Sequence, residues 1–177
     1  MNKRILTIVA LIFTAAMLRL LPMAHNFSPI GAIALFAGAY MTNRYFAFLL
    51  PLAAMLISDV FLGFYGWEML ITYSAFALTV GIGMFLRSNK SWYRVGFASI
   101  STSVLFYLIT NFVFFYPATI APLYTHDLSG VLNSYIAGLP FFQNTVLSDL
   151  MFSSILFGGF YLLSINIPSL KTEKIKA

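Results

Sequence analysis

Tyr45-Phe-Ala-Phe-Leu-Leu-Pro-Leu-Ala-Ala-Met-Leu-Ile-Ser-Asp-Val-Phe-Leu-Gly-Phe64 carries a single charge, Asp59. Apolar and polar residues do not alternate along it, as they would in a half-exposed strand or a barrel strand. A helix of ~20 apolar residues crosses the ~30 Å hydrocarbon core of a bilayer. The stretch therefore reads as a membrane-spanning helix. Composition agrees. Of 177 residues 60% are hydrophobic and only 8% charged, against ~25% charged in an average soluble domain. Ten Lys/Arg and five Asp/Glu cannot cover a soluble surface of this size, and the mean hydropathy is +0.89. A soluble domain, a disordered chain and a fibrous repeat are excluded.

Working outward from that span, five more apolar runs appear: 5–21, 29–41, 67–86, 94–115 and 145–166. The fold class expected is an all-α integral membrane protein of six helices in one domain. The run 29–41 is short for a span and reads as thin, tilted or partly re-entrant. The start of the chain also has the form of a secretory signal, with Lys3 and Arg4 before an apolar stretch and Ala15-Ala16 as a cleavage site. Retaining it keeps the number of spans even.

Six spans place both termini on one side. Lys3, Arg4, Arg44, Arg87, Lys90, Arg94, Lys171, Lys174 and Lys176 then share that side, and only Arg19 lies on the other. The positive-inside rule makes the shared side the cytoplasm. The net charge of +5 is thus a topology signal, and no clustered basic face points to nucleic acid. The long connection, 116–144, falls outside. It lacks Lys and Arg and carries Tyr116, Tyr124, Tyr135, Phe141 and Phe142, which suits an aromatic lid or an interface-lying segment. Within it, Asp127 to Ala137 could form a short helix with Asp127 as N-cap.

Ionisable groups inside spans are costly and point to function. By depth, Arg19, Asp59, Tyr73, Asn111 and Asp149 all lie near the outer ends of their helices. His25, Asn26, Trp67, Glu68 and Asn144 lie at the outer surface. The inner halves offer mostly hydroxyls, such as Ser99, Ser101 and Ser103. An ion pathway would continue inward, so the pattern suggests a cup open to the outside that captures a small molecule. Each residue has a plainer reading too. Arg19 could pair with Asp59 or Asp149, or snorkel to headgroups. Asp149 could cap the last helix. Asn111 could be an interhelical hydrogen bond, Trp67 and Tyr73 interfacial belt residues, and His25 a solvated side chain. Ala34 and Gly38 have the small-xxx-small spacing of close helix packing, inside the bundle or against a partner subunit.

Chemistry is sparse. There is no cysteine, and so no disulfide, thiolate metal site or cysteine nucleophile. The motifs HExxH, GxSxG and GxxxxGK[ST] are absent. His25 and His126 do not make a metal site alone. No catalytic residue, cofactor or bound metal is assigned, and the chain reads as a non-enzyme.

The stretches Arg19-Leu-Leu-Pro-Met-Ala-His-Asn-Phe-Ser-Pro-Ile-Gly-Ala-Ile-Ala-Leu-Phe-Ala-Gly-Ala-Tyr40 and Leu50-Pro-Leu-Ala-Ala-Met-Leu-Ile-Ser-Asp-Val-Phe-Leu-Gly63 resemble a family of small bacterial membrane transport proteins. Leu139-Pro-Phe-Phe-Gln-Asn-Thr145 followed by Asp149 also fits. That family is similar to the substrate-binding S components of energy-coupling factor vitamin transporters, including solitary cobalamin importers. The resemblance implies a six-helix fold in the bacterial inner membrane, with an outer pocket capped by loops. It implies import or capture of a vitamin-type molecule, with cobalamin or a related corrinoid as the leading transported ligand. Asn26, Asp59, Tyr73 and Asp149 would line the site, with Arg19, His25, Trp67, Asn111 and Asn144 as further candidates. The partners implied are the lipid bilayer, a small-molecule ligand, and either an energising ATPase and coupling module or none. Two departures stand out. The chain lacks the Cys that such importers can use as a cobalt ligand; Thr72 would lie at that place but cannot replace a thiolate, and His25 could offer a nitrogen ligand instead. Helix one offers only Ala10 and Thr14 where S components often carry an Ala-xxx-Ala docking face. Another vitamin, a modified base, or a non-transporting assembly role are the alternatives.

Overall fold

The computed structural model describes residues 3–117 and 124–170. Six helices organise them: α1 (Lys3–Met17), α2 (Ile30–Tyr40), α3 (Arg44–Leu62), α4 (Trp67–Phe85), α5 (Trp92–Thr110) and α6 (Leu128–Asn166). Short 3-10 turns follow α1, α5 and α6 at Leu18–Leu20, Val113–Phe115 and Pro168–Leu170. The all-α expectation holds. Helices α3, α4 and α6 are long and apolar enough to cross a membrane, which suggests a multi-pass membrane protein.

The short run read as thin or re-entrant is the centre of the fold. With eleven residues, α2 is about 16 Å long, too short to cross a bilayer. Ten of the eleven are buried, and α1, α3, α4, α5 and α6 all pack against it. A helix apolar on every side has no solvent face to offer, so it is driven inside the bundle. Gly38 and Gly83 make the α2–α4 crossing close. A Cβ on Gly38 would strike the Val80 carbonyl, and one on Gly83 the Leu35 carbonyl. The small-xxx-small spacing at Ala34 and Gly38 therefore serves internal packing.

A buried helix must satisfy its end groups locally. At the C-terminal end of α2, Arg87 donates from Nε to Gly38 O (3.0 Å) and from Nη2 to Met41 O (2.8 Å). The guanidinium complements the negative end of the helix dipole. Arg4 and Lys90 join it there, with the Lys90 ammonium 5.1 Å from the Tyr40 ring centre. Burial, then the charges of Arg4 and Arg87, pull the Lys90 ammonium below the ordinary lysine range. This is the basic end of the bundle.

The last helix corrects the lid reading. Residues 116–144 do not form one long loop. Asp127 does cap a helix, its carboxylate accepting from the Gly130 amide at 2.8 Å. That helix does not stop at Ala137. It passes through Pro140 and continues to Asn166, making α6 39 residues long. At 1.5 Å per residue this is about 58 Å, nearly twice a hydrocarbon core. Pro140 removes one backbone donor, so the Ile136 carbonyl loses its helical partner. The neighbouring turn is held from α5, where Tyr107 donates to Tyr135 O (2.6 Å) and Tyr135 donates to Leu108 O (2.8 Å). Gly138 lets the Asn111 side chain lie against α6. Of the expected lid, 124–127 and the residues up to Pro117 remain loop-like or turn, and 118–123 lie outside the described residues.

Candidate functional site

At the end of the bundle opposite Arg87 and Lys90 lies a cavity of about 650 Å³. The chain leaving α1, the N-terminus of α2, and stretches of α3, α4, α5 and α6 all line it. Its wall combines aromatic side chains (Phe27, Phe76, Phe106, Tyr107, Phe141, Phe142) with hydroxyls of Thr72, Thr79, Thr102, Thr110 and Ser148.

Four of the nine residues expected at a site line this cavity: Arg19, Asn26, Asn111 and Asp149. Arg19 sits in the 3-10 turn after α1, 17% exposed. Its Nη1 forms an ion pair with Asp59 and donates to Ser58 Oγ (2.6 Å) and Met55 O (3.3 Å). Asp59 is fully buried, and its other carboxylate oxygen accepts from the Tyr73 hydroxyl at 2.7 Å. Asp59 and Tyr73 thus stand behind Arg19 and hold it, so the guanidinium, and not the carboxylate, faces the cavity. Ion pairing with Asp59 was one of the two partners foreseen for Arg19. Pairing costs desolvation, but an unpaired buried carboxylate would cost more.

Asn26 adopts the left-handed conformation, φ 60°, in the chain between α1 and α2, which Asn tolerates better than most residues. Asn111 ends α5 and donates to Tyr107 O (2.9 Å). The other candidates lie elsewhere. Asn144 donates to His25 O (2.9 Å), tying α6 to the α1–α2 connection. His25 is exposed, its ring tilted against Phe141 at 5.9 Å, and it is not among the cavity residues. Trp67 donates to Phe115 O (2.9 Å) beside a separate apolar groove on α4.

Asp149 does not cap the last helix, because α6 begins 21 residues earlier, at Leu128. It faces the N-terminus of α2 instead. Pro29, the N-cap of α2, offers no side-chain bond, and the Ala32 amide points at the Asp149 carboxylate. Gly31 makes room, since a Cβ there would collide with that carboxylate. Ser103 of α5 contacts Asp149 Oδ2 at 2.7 Å. Asp149 is 4% exposed and has no cationic partner among the described residues. A helix N-terminus contributes at most about 2 kcal/mol to a carboxylate, less than the several kcal/mol that desolvating an ion costs.

Two phenols at the mouth lie outside the helices. Burial, with the charge of Asp59 adding and Arg19 opposing, pushes the Tyr65 phenol up. Burial and then Glu68 push Tyr116 up to about 12. Both are neutral hydrogen-bonding groups at any physiological pH. Sequence reasoning passed over Tyr65, Phe106, Tyr107 and Thr110. Their signal is only their depth, which they share with many aromatic residues that face outward. Among the described residues, no three His, Cys, Asp or Glu side chains stand close enough to hold a metal ion.

Residues 1–170 match a family described as "Family of unknown function (DUF6580)". The chain belongs to that family. No curated protein and no solved structure matches this DUF6580 member.

Proposed function

We propose that this DUF6580 protein captures a vitamin-type small molecule from the outer side of the bacterial inner membrane, as a solitary importer or as an S-component-like subunit. The observation that carries the reading is the cavity. Its 650 Å³ lies within the range of small-ligand sites, and it combines aromatic walls with a few converging polar groups. It opens at the end opposite the basic cluster, where the distribution of Lys and Arg puts the outside. Six passes of the chain, the second shared between the connection 21–29 and the short α2, with both termini in the cytoplasm, belong to the same proposal. The cycle would be entry from outside, closure over the ligand, and release toward the cytoplasm. No covalent step is required.

A corrinoid remains the first ligand to test. Its ring faces would pack on Phe and Tyr, and its peripheral amides would meet Asn26, Asn111 and the threonine hydroxyls. No thiolate is available for cobalt, and exposed His25 is not placed to replace it. A whole cobalamin is larger than the cavity, so part of it would project through the mouth.

The test is the visible absorption spectrum of detergent-purified protein expressed with cobalamin, followed by thermal-shift measurements with a vitamin panel. A near-stoichiometric corrinoid band, or stabilisation by one panel member, supports capture. The Asn26→Gly variant keeps the left-handed backbone and removes the side chain, so it should weaken that binding without unfolding the protein. A folded protein that binds no panel member overturns the reading and leaves an assembly role.

A further inference from the structure

Asp149 combines three observations. Its carboxyl is almost wholly buried, it borders the cavity beside Ser148, Thr145 and Gly31, and no Lys, Arg or His side chain pairs with it among the described residues. Buried charges are normally paired, and one amide at a helix N-terminus offsets only part of the desolvation. The hydrogen-bond arithmetic points the same way. The Ser103 hydroxyl has one hydrogen but two acceptors in reach, Ser99 O at 2.9 Å and Asp149 Oδ2 at 2.7 Å. With a proton on Asp149, the carboxyl donates to Ser103 Oγ, and Ser103 donates to Ser99 O. Each contact then has its own hydrogen.

We propose that Asp149 is a cation-exchange site at the inner end of the cavity, holding a proton when the cavity is empty and yielding it to a ligand that carries a cationic nitrogen. The balance is simple. The Asp149 O–H bond breaks, the proton leaves to water through the mouth, and the ligand's N–H or N–alkyl cation neutralises the carboxylate. No electron moves. The other charged and titratable groups around the cavity do not do this work. Arg19 is neutralised by Asp59, itself bonded to Tyr73. Glu68 is exposed at the rim, and Tyr65, Tyr116 and Tyr124 border the mouth. Of the elements packed on Asp149, α2 presents the Gly31 and Ala32 backbone, and α5 presents Ser103 with Tyr107 one turn nearer the mouth. Phe27, Phe106 and Phe142 line the cavity, and aromatic rings attract a cation. Within the vitamin class this favours a compact ammonium or cationic heterocycle over an acid.

The inference rests on the capture reading for what enters, but the proton is read without any ligand. Infrared difference spectra of the purified protein at neutral pH should show the carbonyl stretch of a protonated carboxylic acid. The band should vanish in Asp149→Asn and shift in Ser103→Ala. Adding benzylammonium, choline, guanidinium or N-methylpyridinium at matched concentration should bleach it with at least one member of the set, while benzyl alcohol and benzoate leave it. A wild-type spectrum with no such band at neutral pH overturns the proposal. So does a band that no cation in the set bleaches beyond benzyl alcohol. Failure of the vitamin panel with the band present and bleached would count against vitamin capture alone.

Discussion

At the scale of single residues, the Arg19–Asp59–Tyr73 chain is the strongest fixed point of the cavity. Removing Asp59 leaves a mostly buried guanidinium without its carboxylate. Asp59→Ala should cost about 3 kcal/mol, the low end for breaking a buried pair, because Arg19 keeps some exposure and its bonds to Ser58 and Met55. Tyr73→Phe loses one hydrogen bond to a charged acceptor and should cost about 1.5 kcal/mol. Denaturation of the purified protein reads both. Arg19→Leu combined with Asp59→Ala should be more stable than Asp59→Ala alone. If the double variant is as unstable as the sum of the singles, the two groups are not coupled and this account of Asp59 fails. The pair was legible in the sequence because two opposite charges sit at the same depth in different spans. Asp149 was expected at the cavity, but what it faces was not legible. Its partner is a backbone amide of α2, and no side chain of α2 announces it.

At the scale of elements, the close crossing of α2 and α4 and the continuity of α6 decide the shape of the cavity. Gly83→Ala would push a methyl against the Leu35 carbonyl and separate the two helices, costing about 2 kcal/mol. Gly81→Ala, two residues away on the same helix, meets nothing within reach and should gain about 0.5 kcal/mol from helix propensity. Equal effects from the two, measured side by side, would refute the packing argument. The run 29–41 signalled its burial by being apolar all round, but length alone could not say that it is the central helix. The helix after Asp127 was legible as far as Ala137, but its continuation was hidden because Gly138, Pro140 and the polar residues Gln143 and Asn144 carry loop composition, whereas contacts from Tyr107 and Asn111 of α5 hold it helical. Its first turn has a pH signature. Hydrogen bonds from the Gly130 amide and then the Ser129 and Thr125 hydroxyls lower the Asp127 carboxyl from 3.8 to about 2. A depressed folded value means the cap is fully present above pH 3.8 and is lost as pH falls through about 2. Amide exchange at Gly130 and Val131 should therefore show extra opening only in that acidic window, and Asp127→Ala should show the same opening at neutral pH.

At the scale of the whole molecule, the charge distribution and the cavity point in opposite directions along the bundle. Arg4, Arg87 and Lys90 converge at Tyr40, while the cavity opens at the other end among Tyr65, Glu68 and Tyr116. The candidate site was legible only as this polarity, since depth in the sequence placed the polar groups at one end but could not say which side chains turn inward. The polarity can be tested directly, because the chain has no cysteine of its own. Single substitutions Leu128→Cys, at the exposed start of α6, and Ser88→Cys, in the connection after α4, mark the two ends. Neither disturbs an ion pair or the cavity. In intact spheroplasts, a membrane-impermeant maleimide should label the first and spare the second, and lysis should expose both. The reverse pattern would place the cavity on the cytoplasmic side, where it could not receive a ligand from outside. Capture from the periplasm would then be untenable, however well the purified protein bound its ligand.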